Sequence, residues 1–339
     1  MTACMLRCGS RAALFSVLRP QCLNNMLEVP VYVITGFLES GKTTFIREVL
    51  ESPDFADGEK TLVLLCEEGE EEYDEKQLNR HNIYIEQIDE EGDLAPEKLE
   101  VLHRKHKPKR VFVEFNGTWD AAAFTGGAFP RRWELAQIIT LVDGSTFEIY
   151  LQNMRQMMSN IFMDTELVVF NRCTTDMDLQ KFRRTVKAVN SQAVTAFEDA
   201  NGEQIDIGKA QPPFDLSADP IEIPDEEFGL WYLDAMESKE RYDGKTVHFK
   251  GKVMIPRGFP QDCFIPGRNA MTCCVNDIRF IGFICHSKHT DKLSQKQWIE
   301  VTAEIRYEFV REYNGEGPVL YAKHLKSTEP PAEDVVLFN

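Results

Sequence analysis

The strongest chemical signal in the chain is the run Gly36–Thr43, with the letters GFLESGKT. It matches the pattern GxxxxGK[ST], in which glycines let backbone N–H groups turn toward phosphate oxygens. We expect Lys42 to reach the β and γ phosphates of a nucleotide, and the Thr43 hydroxyl to bind Mg²⁺. The positive end of the following helix points at the same anion. The predicted phosphate-binding set is Gly36, Glu39, Ser40, Gly41, Lys42, Thr43 and Thr44.

A carboxylate partner for the metal should come from the end of another strand. Glu114 follows three apolar residues, which is the Walker B pattern, and Phe115, Asn116 and Gly117 come next. Ligands bind at the carboxyl ends of parallel strands, so this acid is at the expected edge. We predict that Glu114 holds Mg²⁺ directly or through a water, that Lys42 and Glu114 are catalytic, and that the Gly117 amide senses the γ phosphate. The alternative is that Glu114 is a solvated loop acid.

Two patterns of secondary structure position these residues. Short β-branched runs alternate with amphipathic stretches such as Thr43–Leu50, Pro96–His106 and Leu179–Val189, which predicts the α/β class and a mainly parallel sheet. The predicted strands are Val29–Thr35, Thr61–Cys66, Arg110–Phe115, Ile138–Val142, Leu167–Phe170 and Ala193–Ala196. A second pattern, almost without helix signal, comprises Val247–Val253, Asp262–Met271, Asp277–His286, Trp298–Val310 and Pro318–Lys326. It predicts a small all-β domain, either an OB-like barrel or a sandwich.

The same patterns divide the chain. Residues 1–27 are a basic extension resembling a mitochondrial presequence, a disordered segment, or sequence ahead of a true start at Met26. Residues 28–200 are predicted to form a P-loop NTPase domain and residues 241–339 an OB-like β domain. Residues 201–240, which contain Pro212-Pro213 among acids, are predicted to be a linker or connecting arm.

Composition excludes several classes of protein. The net charge of −17 argues against a nucleic-acid binder, because phosphate neutralisation needs clustered Lys and Arg. No apolar run approaches the roughly 20 residues that a membrane-spanning helix needs. The nine cysteines are too scattered for a disulfide framework, so we expect free thiols or metal ligands in a cytoplasmic protein. The acidic excess is densest over residues 66–100, which indicates a solvated surface or a mobile acidic loop.

The motifs together resemble the CobW family of P-loop GTPases, which are metal-insertion and metallochaperone proteins related to HypB and UreG. The resemblance rests on the phosphate loop, on Glu67–Glu70 after the second strand, on Glu114–Gly117, and on Leu141–Asp143. It covers about residues 28–200. It implies Mg²⁺-dependent GTP hydrolysis that drives delivery or sensing of a transition metal.

The sequence departs from that family in two places. Where the family usually carries Cys-x-Cys-Cys, residues 88–93 read IDEEGD, with no thiol to hold a soft metal. The family's guanine-reading Asn-Lys-x-Asp is here Asn171-Arg172-Cys173-Thr174. Asn171 is expected to contact the nucleotide, but the Asp that would accept hydrogen bonds from guanine is missing. The choice between GTP and ATP is therefore open.

The second domain resembles the C-terminal domain of bacterial YcgQ-type permease-associated proteins. The residues that carry this resemblance are Tyr242–Val247, Gly267-Arg268 and Met271–Cys274. It implies a permease partner in metal homeostasis. A metalloprotein client and a homo-oligomer are further open alternatives.

Four cysteines lie close together in this domain, at 263, 273, 274 and 285, and His286 and His289 follow them. Thiolates and imidazoles at this density can make a tetrahedral site for Zn²⁺ or another transition metal. We predict Cys273, Cys274 and Cys285 as ligands, although adjacent residues of a strand point to opposite faces. The alternative is that these are small buried core residues.

The sequence thus predicts a P-loop nucleoside-triphosphatase, most simply a GTPase, in which water is the nucleophile. Two other functions stay open. One is a nucleotide-gated adaptor that hydrolyses little and regulates a transporter. The other is a zinc or redox protein centred on the C-terminal cysteines.

Overall fold

The structure is a computed structural model that describes residues 28–52, 55, 57–67, 69, 73–119, 129–271, 278–313 and 315–338. The chain divides into two compact units. The first contains the described residues up to Leu179 together with Gln192–Ile207, and the second contains Gln180–Ser191 and the described residues from Gly208 onward. Within the described part of the chain, no helix combines the length and the apolar character needed to cross a membrane.

The first unit is built on a seven-stranded sheet in which every pairing is parallel. Its strands are β1 (Val29–Thr35), β2 (Thr61–Leu65), β3 (Ile83–Gln87), β4 (Arg110–Glu114), β5 (Trp133–Asp143), β6 (Leu167–Asn171) and β7 (Val194–Phe197). Their order is β3-β2-β4-β1-β5-β6-β7, so β1 lies at the centre between β4 and β5. Central parallel strands are buried on both faces, and every residue of β1 and β4 is accordingly buried, with apolar residues predominating.

Helices follow these strands. Those of the first unit are α1 (Lys42–Glu51), α2 (Glu75–Arg80), α3 (Pro96–His106), α4 (Phe147–Asn153) and α5 (Arg155–Met163). Helix α6 (Leu179–Val189) follows β6 along the chain, and from Gln180 onward it belongs to the second unit. One apolar cluster packs α1 against the sheet through Phe45, Ile46 and Val49, and a second cluster contains Leu99 of α3. The predicted α/β class with a mainly parallel sheet is confirmed.

The second unit carries the all-β sheet predicted for the C-terminal region. Its strands are β8 (Ile221–Glu222), β9 (Thr246–Met254), β10 (Cys263–Met271), β11 (Ile278–Gly282), β12 (Cys285–His286), β13 (Trp298–Val310), β14 (Gly315–Ser327) and β15 (Val335–Val336). Pairings run from β9 to β10, β12, β14, β13 and back to β9, so five strands close into a barrel-like ring. Closure leaves the ring strands without a free edge.

Part of the predicted connecting arm, residues 201–240, has a different structure from a simple linker. Strand β8 and helix α7 (Phe228–Glu237) lie within it, and the short helix α8 (Lys239–Tyr242) follows. Phe228 and Trp231 are fully buried in the core of the second unit, beside Phe249 of β9. The sequence pattern does not predict helix α7, because prolines and acidic residues are frequent at 212–226. The apolar residues of the helix begin only at Phe228.

Candidate nucleotide-binding site

The phosphate loop is the turn between β1 and α1. Gly36 and Gly41 have φ values of 137° and 90°, in the left-handed region where glycine avoids strain. Lys42, which is only 3% exposed, donates hydrogen bonds to the carbonyls of Gly36 (2.9 Å) and Phe37 (2.8 Å). Its ammonium also forms an ion pair with Glu67, just beyond β2. The loop thus surrounds a buried cation that already has three oxygen partners.

The Walker B carboxylate lies directly beside this loop. Strands β1 and β4 are paired with Ile34 opposite Glu114, which places the acid at the level of the loop. The Thr43 hydroxyl donates to Oε1 of Glu114 (2.5 Å), and the Tyr73 hydroxyl donates to Oε2 (2.8 Å). Both carboxylate oxygens are therefore oriented, one of them toward the residue that is expected to bind Mg²⁺.

The electrostatics of Glu114 follow from its burial. Removal from water raises the pKa of this carboxyl, because the charged form loses solvation. Hydrogen bonds from Thr43 and Tyr73 and the charge of Lys42 act in the opposite direction, but they do not cancel the effect. Burial likewise raises the pKa of the Tyr73 hydroxyl, and the neighbouring Glu114 adds to that shift. A buried carboxylate of this kind is stabilised by any cation that binds it.

Gly117 packs against the phosphate loop. A Cβ atom at this position would lie 2.3 Å from the carbonyl oxygen of Gly36. A Cβ at Gly36 would in turn lie 2.2 Å from the carbonyl of Leu141. Because glycine has no side chain, the segments that follow β1 and β4 can approach each other closely, and the segment after β1 can also approach β5. A residue with a Cβ atom at either position would prevent this approach.

The end of β6 forms the other side of the loop. Asn171 donates from Nδ2 to the carbonyl of Ser40 (2.7 Å), so it supports the loop. Arg172 donates to the carbonyl of Glu39 (3.0 Å) and to Oδ2 of Asp143 at the end of β5 (2.6 Å). Burial acts to raise the pKa of Asp143, but hydrogen bonds from Ser145 and Arg172 outweigh it and hold the pKa below its usual value. Asp143 is therefore held as a carboxylate.

These residues surround one cavity in the first unit. It is lined by Gly36, Phe37, Leu38, Glu39, Ser40, Gly41, Lys42, Thr43, Thr44, Glu67, Gly69, Glu114, Thr140, Leu141, Val142, Asp143, Thr146, Tyr150, Met158, Ile161 and Arg172. Seven residues of the predicted phosphate-binding set and Glu114 are among them. Gly117 and Asn171 do not line this cavity, and each lies against the backbone of the phosphate loop.

Four residues of the site carry no predicted role from the sequence: Glu67, Tyr73, Asp143 and Arg172. Glu67, Asp143 and Arg172 each follow an apolar run at the carboxyl edge of the sheet, so the rule that identified Glu114 also applies to them. Tyr73 has no such signal, because it precedes the short helix α2 within an acidic stretch. Only the fold brings it to Glu114.

The described cysteines are buried free thiols. Burial and the neighbouring Glu114 and Glu67 charges raise the pKa of Cys66 to about 12. Burial also raises the pKa of Cys285, whose thiol donates weakly to the carbonyl of His286 (3.8 Å). Cys285 belongs to the core cluster of the second unit, as expected of a small buried residue. The predicted ligands Cys273 and Cys274 lie outside the described residues.

Comparison with known proteins identifies both units. Residues 30–197 match the family described as CobW/HypB/UreG, nucleotide-binding domain, and residues 203–337 match the DUF1980 C-terminal domain. No curated protein matches the chain.

Two solved structures to which the chain is similar have the following names and scores. The hydrogenase maturation factor HypB from Archaeoglobus fulgidus has 18% identity, with a TM-score of 0.38 over 51% of this chain and 82% of that chain. The Zn(II)-bound YjiA GTPase from E. coli has 17% identity, with a TM-score of 0.40 over 68% of this chain and 74% of that chain. The two sequence matches extend over most of the described chain. The protein therefore joins a CobW/HypB/UreG nucleotide-binding domain to a DUF1980 C-terminal domain.

Proposed function

We propose that the protein binds GTP at the phosphate loop and hydrolyses it with Mg²⁺. The observation that carries this proposal is the meeting of Thr43 and Glu114, an alcohol and a carboxylate that are brought within 2.5 Å beside a buried lysine. In this reading Lys42 stabilises negative charge on the transferred phosphoryl group, and backbone N–H groups from Gly36 to Thr44 hold the phosphates. Water is the nucleophile.

The residues present fit Mg²⁺. This ion prefers oxygen ligands and usually retains several waters, with one or two protein ligands completing its shell. Thr43 and Glu114 offer one hydroxyl and one carboxylate from the same side of the cavity, and the carboxylate is desolvated and unfavourable without a cation. We therefore assign Thr43 and Glu114 as the residues that would hold Mg²⁺, directly or through water. The bound ion would supply positive charge to the β and γ phosphates.

The cellular role that we propose is metal delivery or regulation of metal homeostasis. It is supported by the CobW/HypB/UreG family of the first domain, together with the separate DUF1980 domain. The partners that we propose are a metalloprotein client or a membrane permease contacting the second domain, with the protein itself in the cytoplasm. A nucleotide-dependent change in the first domain would control that contact.

Phosphate release by the purified full chain tests the hydrolysis directly. We expect phosphate release from GTP that depends on Mg²⁺. It should fall at least about 100-fold in Lys42→Ala, because the variant lacks the positive charge that contacts the phosphates. Lys60→Ala, which removes an exposed lysine, is the matched control and should keep full turnover. ATP in parallel measures the base preference. Equal rates for wild type and Lys42→Ala would contradict the proposal.

One observation favours a second function, that of a nucleotide-gated adaptor. Lys42 is held by Glu67 and by two loop carbonyls, so a nucleotide must exchange these contacts for its own phosphates. Slow exchange would suit a binding switch with little turnover. Tight GTP binding by equilibrium titration, without phosphate release and lost in Lys42→Ala, would favour the adaptor over the enzyme.

A further inference from the structure

A second group of polar side chains lies in the C-terminal domain, formed by Asp262, Cys263 and His286. Cys263 begins β10, and His286 ends β12 directly opposite it in the antiparallel pairing. Residues that face each other in such a pair point to the same side of the sheet. Asp262 immediately precedes β10 and completes the group. Among the described residues, this is one set in which a thiol, an imidazole and a carboxylate lie within 4.8 Å of one another.

The distances suit one shared ion. The Cys263 sulfur lies 3.3 Å from Nδ1 of His286 and 3.6 Å from Oδ1 of Asp262, while Nδ1 lies 3.1 Å from Oδ2 of the same carboxylate. A tetrahedral zinc ion has bonds of about 2.3 Å to sulfur and about 2.1 Å to nitrogen and oxygen. Such bonds separate the sulfur and nitrogen ligands by about 3.6 Å and the nitrogen and oxygen ligands by about 3.4 Å.

The arrangement does not suit a nucleophilic cysteine. In a Cys–His–Asp relay, the thiol and the carboxylate use different nitrogens of the imidazole. Here Nδ1 is the nitrogen closer to the sulfur (3.3 Å, against 3.9 Å for Nε2), and it is also the atom beside Asp262. Both partners therefore converge on one edge of the ring.

The side chains of Cys285 and His286 have different surroundings. Cys285 adjoins His286 on β12, and adjacent strand residues point to opposite faces. Its side chain consequently lies in the apolar core, where it is fully buried, while His286 is partly exposed and stacks on Tyr321 with 5.1 Å between ring centroids. The ligand predicted from the sequence, Cys285, is thus on the wrong face to join His286.

We propose that Asp262, Cys263 and His286 bind a borderline transition-metal ion, of the class of Zn²⁺ or Co²⁺. One thiolate, one imidazole and one carboxylate select such ions over Mg²⁺ or Ca²⁺, which prefer oxygen alone. Three protein ligands leave the fourth position of a tetrahedral ion for water or an exchanging partner. The carboxylate is the outermost ligand, since the Asp262 side chain is 62% exposed and Cys263 is buried. The ion would enter from that side.

Cobalt alone, added to the purified full chain, tests this site. A thiolate bound to Co²⁺ gives a near-ultraviolet charge-transfer band, and a tetrahedral ion gives intense visible bands. We expect both at one equivalent, with the charge-transfer band lost in Cys263→Ser and the visible bands weakened in His286→Gln. Cobalt at Thr43 and Glu114 would contribute no such band, because that site offers oxygens. The result therefore does not depend on the proposed GTP hydrolysis.

Control variants separate this site from the other thiols. Cys285→Ser, Cys66→Ser and the double change Cys273→Ser/Cys274→Ser should each keep the charge-transfer band. Asp262→Asn, at a side chain that is 62% exposed, should lower the apparent cobalt affinity and leave the circular dichroism spectrum unchanged. A band that survives Cys263→Ser, or one that disappears in the Cys273/Cys274 double variant while Cys263 is intact, would overturn the proposal.

Discussion

Thr43 and Glu114 lie 71 residues apart in the chain, and the hydroxyl of one donates a 2.5 Å hydrogen bond to the carboxylate of the other. The pairing of β1 with β4 produces this contact, because Ile34 and Glu114 are opposite each other in register. A one-residue shift would turn the acid to the other face of the sheet. The register of the sheet therefore fixes the position of Glu114 relative to Thr43.

Glu114→Gln should reduce Mg²⁺-dependent phosphate release by about 100-fold or more, because a neutral amide supplies no charge to the ion. The change keeps the size of the side chain and one acceptor oxygen for Thr43 or Tyr73. Steady-state phosphate release across a Mg²⁺ titration measures the effect. Glu100→Gln, on the exposed side of α3, should behave as wild type. Normal turnover in Glu114→Gln would remove this residue from the site.

The stability of the nucleotide-free protein should depend on Glu114 in a defined direction. Burial raises the pKa of this carboxyl above its usual 4.5, so the folded protein holds the proton more tightly than the unfolded chain does. The free energy of unfolding therefore falls as the pH rises from 4.5 through the raised value. Glu114→Gln has no ionisable group at this position, so its free energy of unfolding should not fall for this reason. The free energy of unfolding of the variant should therefore rise relative to that of wild type between pH 4.5 and the raised pKa.

Urea unfolding of both proteins at a series of pH values, without nucleotide or divalent metal, measures that difference. Parallel curves for wild type and Glu114→Gln would mean that the proton binds equally in both states. Added Mg²⁺ with nucleotide should reverse the order of stability, because only wild type gains the ion.

Tyr73→Phe should weaken the apparent Mg²⁺ affinity in turnover by about fivefold, which corresponds to one hydrogen bond of about 1 kcal/mol. The ring remains, and only the donor to Oε2 of Glu114 is removed. Tyr84→Phe, in which the ring packs against His106, is the matched control. If the two variants have the same Mg²⁺ half-saturation, Tyr73 does not position the carboxylate.

Gly117→Ala should lower nucleotide affinity by about tenfold or more while the domain stays folded. The added methyl would lie 2.3 Å from the carbonyl of Gly36, so the phosphate loop must move, and overpacking of this kind costs about 1–3 kcal/mol. Fluorescent nucleotide titration and thermal melting check both parts. Gly92→Ala is the control, because a Cβ there meets nothing within 4 Å.

Thr174→Asp should shift the preference toward GTP by about 10- to 100-fold, the value of a hydrogen bond to a charged group. Thr174 stands where the resembled motif has its guanine-reading Asp, and it is exposed. The ratio of the kcat/KM values for GTP and ATP measures the effect, with Thr174→Asn as the uncharged control. An unchanged ratio would mean that the base is bound elsewhere.

The features that could be predicted from the sequence are those that depend on local residue spacing. The phosphate loop needs glycines at fixed offsets, and Glu114 needs an apolar strand before it, so both could be predicted from spacing. Strand β3 was missed because it lies at the sheet edge, where only Ile83 is fully buried and the surrounding residues are acidic. Helix α7 was hidden after a proline-rich segment.

Contacts between distant segments could not be predicted in the same way. The hydroxyl of Tyr73 reaches Glu114 only because β2 and β4 are neighbours, and no local spacing records that. The cysteines show the same limit. Sequence density favoured Cys285, whereas the face of β12 decides that His286, and not Cys285, joins Cys263.

The ion pair of Lys42 with Glu67 has a consequence for what nucleotide binding does to the first domain. In the proposed complex, a phosphate that binds Lys42 would leave the Glu67 carboxylate facing another anion. The attraction between Lys42 and Glu67 would then be replaced by a repulsion between Glu67 and the phosphate. Glu67 and the phosphates of a nucleotide therefore compete for the same lysine.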